Sequence, residues 1–217
     1  MILSCAARFL VILDADSTLI QDEVIELLAD AAGVRERVAE VTDRAMRGEL
    51  DFSESLRERV LTLAGLPESV FVDVGRRIRP TDGVHELIAG IHAGGGVVGV
   101  VSGGFHELLD PLAAELRLDH WRANRLEVQA GYLTGRLIGP IIDAEAKAVA
   151  LREWAAQEQL ALAQTIAVGD GANDLRMMDA AGLAVAFNAK PRVKREADLV
   201  IDLCNLSQVL PLLGLRG

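Results

Sequence analysis

Apolar and polar positions along the chain fall into two textures. Five successive apolar residues, Phe9 to Leu13, predict a short strand buried on both faces. From Glu23 onward apolar residues recur at helical spacing instead. One such run covers Glu23 to Ala32 (EVIELLADAA) and ends at Gly33. A second covers Arg35 to Met46 and stops near Gly48, and a third covers Phe52 to Leu63. A fourth opens at Pro67, well placed as a first helical residue, and runs to about Ile78. Four helices with no strand between them do not belong inside a βαβ series. Residues 21–80 are therefore expected to form a helical insertion, bounded by Pro80-Thr81-Asp82-Gly83.

Beyond that boundary strands and helices alternate. Helices are expected over Val84 to His92, Phe105 to Leu116, Ala144 to Gln159 and Asn173 to Ala181. Strands are expected over Val97 to Val101, Thr165 to Val168, Leu183 to Phe187 and Leu199 to Ile201. Val128 to Leu137, with Ala130-Gly131 in the middle, reads as a hairpin. The pattern implies the α/β class: an open, Rossmann-like parallel sheet flanked by helices, with right-handed crossovers. Its core is discontinuous, residues 1–20 and 81–217, with the helical bundle of 21–80 inserted. Gly94-Gly95-Gly96-Val97-Val98-Gly99 spells G-x-G-x-x-G, but it precedes a strand rather than joining a strand to a helix. The dinucleotide reading therefore fails.

Three strands end in polar residues at one edge of this sheet: Leu13 into Asp14-Ala15-Asp16-Ser17-Thr18, Val101 into Ser102-Gly103-Gly104, and Val168 into Gly169-Asp170-Gly171-Ala172-Asn173-Asp174. Ligands bind beyond the carboxyl ends of parallel strands. Asp14 and Asp16, two apart on an extended segment, are able to face the same crevice. Such close carboxylates need a positive charge between them. An EF-hand is excluded, because its sixth loop position is Leu19 and its twelfth Ile25. Each turn taken alone also fits an ordinary solvated turn. Together they suit a phosphate and a hard metal: Asp14 and Asp170 are oxygen ligands of the kind Mg²⁺ takes. Ser102 offers a hydroxyl, and Gly103 allows close approach of a backbone N–H at the start of a helix. Lys147, near the start of its helix, is badly placed for the macrodipole, so an anionic partner is expected beside it.

Charge and composition narrow the partners. The formal net charge is −10, which argues against a general nucleic-acid binder. It also requires that any anionic substrate meet positive charge from a few residues or a metal. Hydrophobic residues make up 51% and aromatic residues 4%, so the core must be mainly aliphatic. Cys5 and Cys204 form no metal or redox motif. Ile2-Leu3-Ser4-Cys5 has no apolar segment before it, the apolar start is broken by Arg8, and no run approaches ~20 apolar residues. A soluble, cytoplasmic protein with no membrane partner is expected, in which Asn205-Leu206-Ser207 carries no sugar.

The four motifs resemble those of the haloacid-dehalogenase-like superfamily, and the insertion resembles its phosphoserine phosphatase branch. Asp14-Ala15-Asp16-Ser17-Thr18 matches the first motif, Ser102-Gly103-Gly104 the second, Lys147 the third and Gly169-Asp170-Gly171-Ala172-Asn173-Asp174 the fourth. The likeness extends to Glu23-Val24-Ile25-Glu26, Met46-Arg47-Gly48-Glu49-Leu50-Asp51-Phe52, Ser55-Leu56-Arg57-Glu58-Arg59, Gly135 and Phe187-x-Ala189-Lys190-Pro191. It covers nearly the whole chain; the amino-terminal regulatory domain of some relatives is not expected. Ala15 departs from the bulkier residue that relatives often carry, which bears on packing rather than chemistry.

The resemblance implies hydrolysis of O-phospho-L-serine to serine and phosphate, the last step of serine biosynthesis, through an aspartyl-phosphate. It implies Asp14 as nucleophile and Asp16 as acid and then base. Mg²⁺ would be held by Asp14, the Asp16 backbone carbonyl and Asp170. Lys147, Ser102 and Gly103 would grip the phosphoryl oxygens, with Asn173 and Asp174 ordering the shell around metal and lysine. Glu23 and Arg59 would read the ammonium and carboxylate of serine, under apolar cover from Met46 and Phe52, all from a cap over the site. The plain alternatives are a first-turn helix acid for Glu23, a solvated helix face for Arg59 and ordinary cap core for Met46 and Phe52. Rival activities are phosphotransfer to another amino-acid alcohol such as homoserine, or action on another small phosphomonoester. A mutase and a non-catalytic phospholigand binder are less favoured, and an ion pump is excluded for want of membrane spans.

Overall fold

The computed structural model describes residues 7–214, and of Met46 the backbone alone. The Ile2-Leu3-Ser4-Cys5 segment and the Met46 side chain lie outside the described residues. Strand β1 (Leu10–Leu13) runs into a wound turn, and four helices follow: α1 (Val24–Ala31), α2 (Arg35–Met46), α3 (Phe52–Leu61) and α4 (Val70–Gly75). The chain then forms α5 (Val84–Ala93), β2 (Val97–Phe105), α6 (His106–Leu116), β3 (His120–Gln129), β4 (Tyr132–Ile138) and α7 (Ala144–Gln157). It ends with β5 (Thr165–Gly169), α8 (Leu175–Ala180), β6 (Leu183–Phe187), α9 (Pro191–Glu196), β7 (Leu199–Ile201) and a 3-10 segment, Leu206–Leu213.

The sheet has seven strands in the order β4-β3-β2-β1-β5-β6-β7. All neighbours are parallel except the β3–β4 hairpin. β1 lies at the centre, with Leu13 level with Val100 on β2 and Val168 on β5. The chain winds outward from β1 in both directions, so the crevice past Leu13 is a topological switch point. Alternation along β1 divides the core. Val11 and Leu13 pack with α5, α6 and the inserted helices, through Leu28, Leu56 and Leu63. Leu10 and Ile12 pack on the other face with Leu151, Trp154, Met177 and Val193.

Two sets of backbone bonds tie the inserted helices to the sheet. Where the chain leaves and returns, Ile20 bridges Pro80, Gln21 N–H donates to Arg79 O at 2.9 Å, and Thr81 N–H donates to Leu19 O at 2.9 Å. At the far side the α3–α4 loop adds to the hairpin tip: Gly65 N–H donates to Leu133 O and Leu133 N–H to Leu66 O, both at 2.8 Å, and Glu68 N–H donates to Gly131 O at 2.9 Å.

Several elements differ from the pattern expected. β2 does not stop at Val101 but continues through Ser102-Gly103-Gly104 to Phe105, so Gly103 lies in a strand and α6 begins three residues later. β3 begins at His120, well before Val128, and its first polar residues find partners on the neighbouring helix α7 and just beyond it. His120 pairs with Glu158 and stacks on Trp154, and Arg122 pairs with Glu153. Helix α4 is shorter than expected, since Glu68 N–H is bonded to the hairpin. α9 and the 3-10 segment were not expected: both are short, and the first is opened by Pro191 at its first helical position.

Candidate active site

Each of the three predicted turns arrives at the crevice beyond β1. Past Leu13 the backbone winds through Ala15–Leu19, with Ser17 left-handed at φ 57°. Asp14 is thereby left at the strand end, 4 % exposed. Its Oδ1 accepts the Ala15 N–H at 2.7 Å and faces Lys147 Nζ at 2.7 Å. Both contacts fall on one oxygen, which leaves Oδ2 outside them.

Lys147 is fully buried, on the first turn of α7. The helix start is set by Asp143, whose Oδ1 accepts the Ala146 N–H at 2.9 Å. The anionic partner expected beside Lys147 is a pair: Asp14 and, also at 2.7 Å, Asp174 Oδ1. Burial alone would lower the lysine's pKa, but the two carboxylates outweigh it and hold the ammonium charged. An ammonium has three donors, so one remains for a substrate oxygen.

Asp170 comes in from the end of β5, 8 % exposed, and accepts the Thr18 hydroxyl at 3.4 Å. Oxygen atoms of Asp14, Asp170 and Asp174 all lie within 4.8 Å of one another. One lysine thus faces three buried carboxylates. Burial, with the Asp174 charge, pushes the Asp14 carboxyl up to about 8 against the pull of Lys147. Burial and Asp174 push Asp170 up to about 6, against Lys190. The cluster lacks positive charge, and its ligands are hard oxygens, so its chemistry fits a divalent metal ion. Asp174 has both oxygens engaged, since Oδ2 accepts the Gly171 N–H at 3.0 Å. That leaves Asp14 and Asp170 better placed to offer oxygens.

Asp16 sits half-buried beside Asp14 and accepts the Val24 N–H at 3.4 Å. Burial, then the charges of Glu23 and Asp14, raise its pKa well above the usual carboxylate range. Burial thus makes the protonated form of Asp16 easier to reach than for an ordinary carboxylate. Opposite, Ser102 is 2 % exposed and its Oγ accepts the Gly104 N–H at 2.8 Å. Gly104 has no room for a side chain: a Cβ would stand 2.7 Å from Val24 Cγ2, 3.0 Å from Ser102 Oγ and 3.3 Å from Asp16 Oδ2.

The inserted helices bring three candidates to the same mouth. Phe52 follows Asp51, which caps α3 in a reciprocal pair with Glu54 (2.8 and 3.0 Å). Its ring lies over Gly103, with Cζ 3.2 Å from where a Cβ there would stand. Glu23 is exposed and accepts the Ser17 hydroxyl at 2.8 Å. Arg59 is half-buried, and its Nε donates to Ser55 O at 3.2 Å. Burial lowers its pKa against the opposing charges of Glu23 and Asp16, which places all three in one field. Asn173 sits in the turn after Gly171, half-buried, and shows no bond to the acidic cluster.

Three polar contributors had no individual role assigned from the sequence. Thr18 and Ser17 follow Asp16 directly, and their adjacency to the acidic pair was the available signal. Asn124, 2 % exposed on β3, had none: it lies between Ala123 and Arg125 in a stretch with no apolar alternation.

Known proteins share this sequence pattern and fold. The model of the haloacid dehalogenase-like hydrolase family matches residues 11–179. The phosphoserine phosphatase of Streptococcus thermophilus is 51% identical over 208 residues, 96% of this chain and 97% of that one. That of Lactococcus lactis is 49% identical over 205 residues, 94% and 95% of the two chains. Among solved structures, a phospho-aspartyl intermediate analogue of phosphoserine phosphatase superposes with a TM-score of 0.89 at 42% identity, covering 95% of this chain and 99% of that one. A substrate-bound phosphoserine phosphatase complex gives 0.89 at 42%, over 94% and 98%. With the family model spanning both acidic turns, the serine–glycine bulge and the buried lysine, this chain belongs to the haloacid dehalogenase-like hydrolase family.

Proposed function

We infer that this chain hydrolyses O-phospho-L-serine to serine and phosphate, as a Mg²⁺-dependent phosphoserine phosphatase of the cytoplasm at the last step of serine biosynthesis. The observation that carries the reading is the buried cluster of Asp14, Asp170, Asp174 and Lys147 at the carboxyl end of the central strand. Near-full-length identity of about half to relatives of that activity supports it.

In this reading Asp14 attacks phosphorus, the serine oxygen leaves, and an aspartyl-phosphate remains. Asp16, protonated at the outset, gives its proton to the departing oxygen. It then takes one from the water that hydrolyses the aspartyl-phosphate. Lys147, the Ser102 hydroxyl and the Gly103 N–H hold the phosphoryl oxygens while charge spreads over them. Asp14, the Asp16 carbonyl and Asp170 would hold Mg²⁺, with Asp174 and Asn173 ordering the surroundings. When bound, the ion supplies the positive charge that lets a carboxylate approach a phosphate dianion.

Glu23 takes the substrate ammonium and Arg59 its carboxylate, with Phe52 and Met46 as apolar cover. Residues 21–80 act as a cap over a core of residues 1–20 and 81–217. Its closing excludes bulk water from the first step, and its opening admits water and releases product.

The test is release of inorganic phosphate from L-phosphoserine and from a panel of other phosphomonoesters, with and without Mg²⁺. Preferred turnover of phosphoserine, lost in chelator, is expected. Equal turnover across the panel, or none with phosphoserine, would overturn the substrate assignment.

A further inference from the structure

The β2–β3 ladder breaks at the phosphate-binding turn. Val101 is level with Arg122 and Phe105 with Asn124, so four steps along β2 match two along β3. Ser102-Gly103-Gly104 bulges out of the sheet as a result. A bulge frees backbone groups from their ladder partners, and buried groups must find others.

The Asn124 side chain supplies one. Its Nδ2 donates to Gly103 O at 2.9 Å, while its Oδ1 accepts the Ile142 N–H at 2.9 Å. A carbonyl only accepts and a backbone N–H only donates, so this orientation of the amide is the one that satisfies both. Ile142 directly precedes Asp143, which caps the helix bearing Lys147. One buried amide therefore links the serine–glycine bulge to the start of α7.

The same peptide unit is held from its other side. Gly103 C=O and Gly104 N–H belong to one plane, and that N–H donates to Ser102 Oγ at 2.8 Å. With one oxygen lone pair so occupied, the rotation of the Ser102 hydroxyl is restricted, and its proton is turned away from the loop backbone. Fixing the Gly103 carbonyl thus fixes the direction in which Ser102 donates.

We propose that Asn124 is a positioning residue for phosphoryl transfer: by holding the Gly103–Gly104 peptide it aims the Ser102 hydroxyl at the phosphoryl group, in register with Lys147. This rests on the phosphatase reading above.

A double-mutant cycle tests it. Asn124→Asp keeps the acceptor for Ile142 but sets an oxygen against the Gly103 carbonyl; Asn124→Ala removes both bonds without adding charge. Each is combined with Ser102→Ala and assayed with Mg²⁺ on phosphoserine, with thermal melts alongside. Each single Asn124 change is expected to lower kcat about 10- to 30-fold, less than deletion of a positioned donor, with KM within about threefold. In the Ser102→Ala background the further loss should be under about threefold, because the group being aimed is gone. The same factor in both backgrounds overturns the proposal, as does a loss confined to KM or a kcat within threefold of the parent. Loss of the folded state in both variants would also overturn it, in favour of a framework role. Should the parent protein hydrolyse an aryl phosphate but not phosphoserine, the substrate reading fails alone and the cycle runs unchanged on the aryl ester.

Discussion

Lys147 Nζ stands 2.7 Å from Asp14 Oδ1, with the lysine side chain closed to solvent and the aspartate side chain 6 % open. Neither charge has water to stabilise it, so each depends on the other. The lysine, however, is shared with Asp174 and outnumbered by carboxylates. Replacing Asp14 by Asn fixes the side chain in the neutral state that its raised pKa already favours, while keeping an oxygen for the Ala15 N–H. The variant is expected to melt no lower than the parent in chelator, while turnover falls at least about 10³-fold, as for other lost nucleophiles. Substantial residual phosphatase activity would remove Asp14 from the nucleophile's place.

The same crowding gives the metal-free protein a pH dependence of definite sign. Asp14 and Asp170 are pushed up to about 8 and about 6, above the ordinary value of 3.8. Folded chains therefore hold protons that unfolded chains have released. The stability these groups contribute is complete below about pH 4 and declines as pH rises through 6 and 8. Mg²⁺ must displace those protons, so its stabilising effect should grow over the same interval. Melting temperatures with chelator and with Mg²⁺, at pH 6 and pH 8, measure this. A shift at pH 8 no larger than at pH 6 would exclude these carboxylates as the site of the cation.

How far the sequence revealed the site follows from how each residue is placed. Asp14, Ser102 and Asp170 end runs of apolar residues, and parallel strands share a carboxyl edge, so their meeting was legible. The anionic partner of Lys147 was legible only beside the other motifs, since its place on a helix start alone fits a solvated surface lysine; its burial was not foreseen. β3 was not, because its side chains serve as fasteners rather than as core. His106 Nε2 accepts the Ala123 N–H at 3.1 Å, while Trp121 and Arg125 both bind Asp110. Such pairings obscure the alternation that marks a strand. Asn124 acts across the bulge, a feature that no local pattern encodes. The binding of the α3–α4 loop to the hairpin tip was equally hidden, since it joins backbone groups whose side chains say nothing of it.

Where the inserted helices leave and rejoin the sheet, Asp22 closes the gap. It accepts the Arg79 backbone N–H at 2.8 Å and its guanidinium at 2.6 Å. Burial alone would raise the Asp22 carboxyl, but the Arg79 contacts outweigh it and hold it below its ordinary value. The guanidinium is 66% exposed, so most of the gain lies in the backbone bond. Asp22→Ala is expected to cost about 1–2 kcal/mol, or a melting point roughly 2–6 °C lower for a domain of this size. A lowered carboxyl stabilises above its unfolded value and loses that effect as pH falls through its folded one. The difference between variant and parent should therefore shrink below about pH 4. A difference that persists there would point to packing rather than charge.

Arg59 and Glu23 offer the sharpest test of substrate identity. Arg59 lies in the field of Glu23 and Asp16, but its Nε donates to Ser55 O and it makes no ion pair to either acid among the described residues. Burial without a carboxylate partner is costly for a guanidinium. A substrate carboxylate would supply that partner in bidentate form, worth about 1.5–3 kcal/mol for a charge-assisted bond. The interaction is remote from phosphorus and the same before and during transfer, so its loss should appear in KM rather than kcat. Arg59→Ala is accordingly expected to raise KM for phosphoserine by roughly 10- to 100-fold. An aryl phosphate has no carboxylate to lose, and its KM should change little. Steady-state constants on the two esters, measured side by side, make the comparison. Equal effects on both would mean that Arg59 shapes the cap rather than reading the amino acid, and the substrate class would have to be sought among esters without a carboxylate.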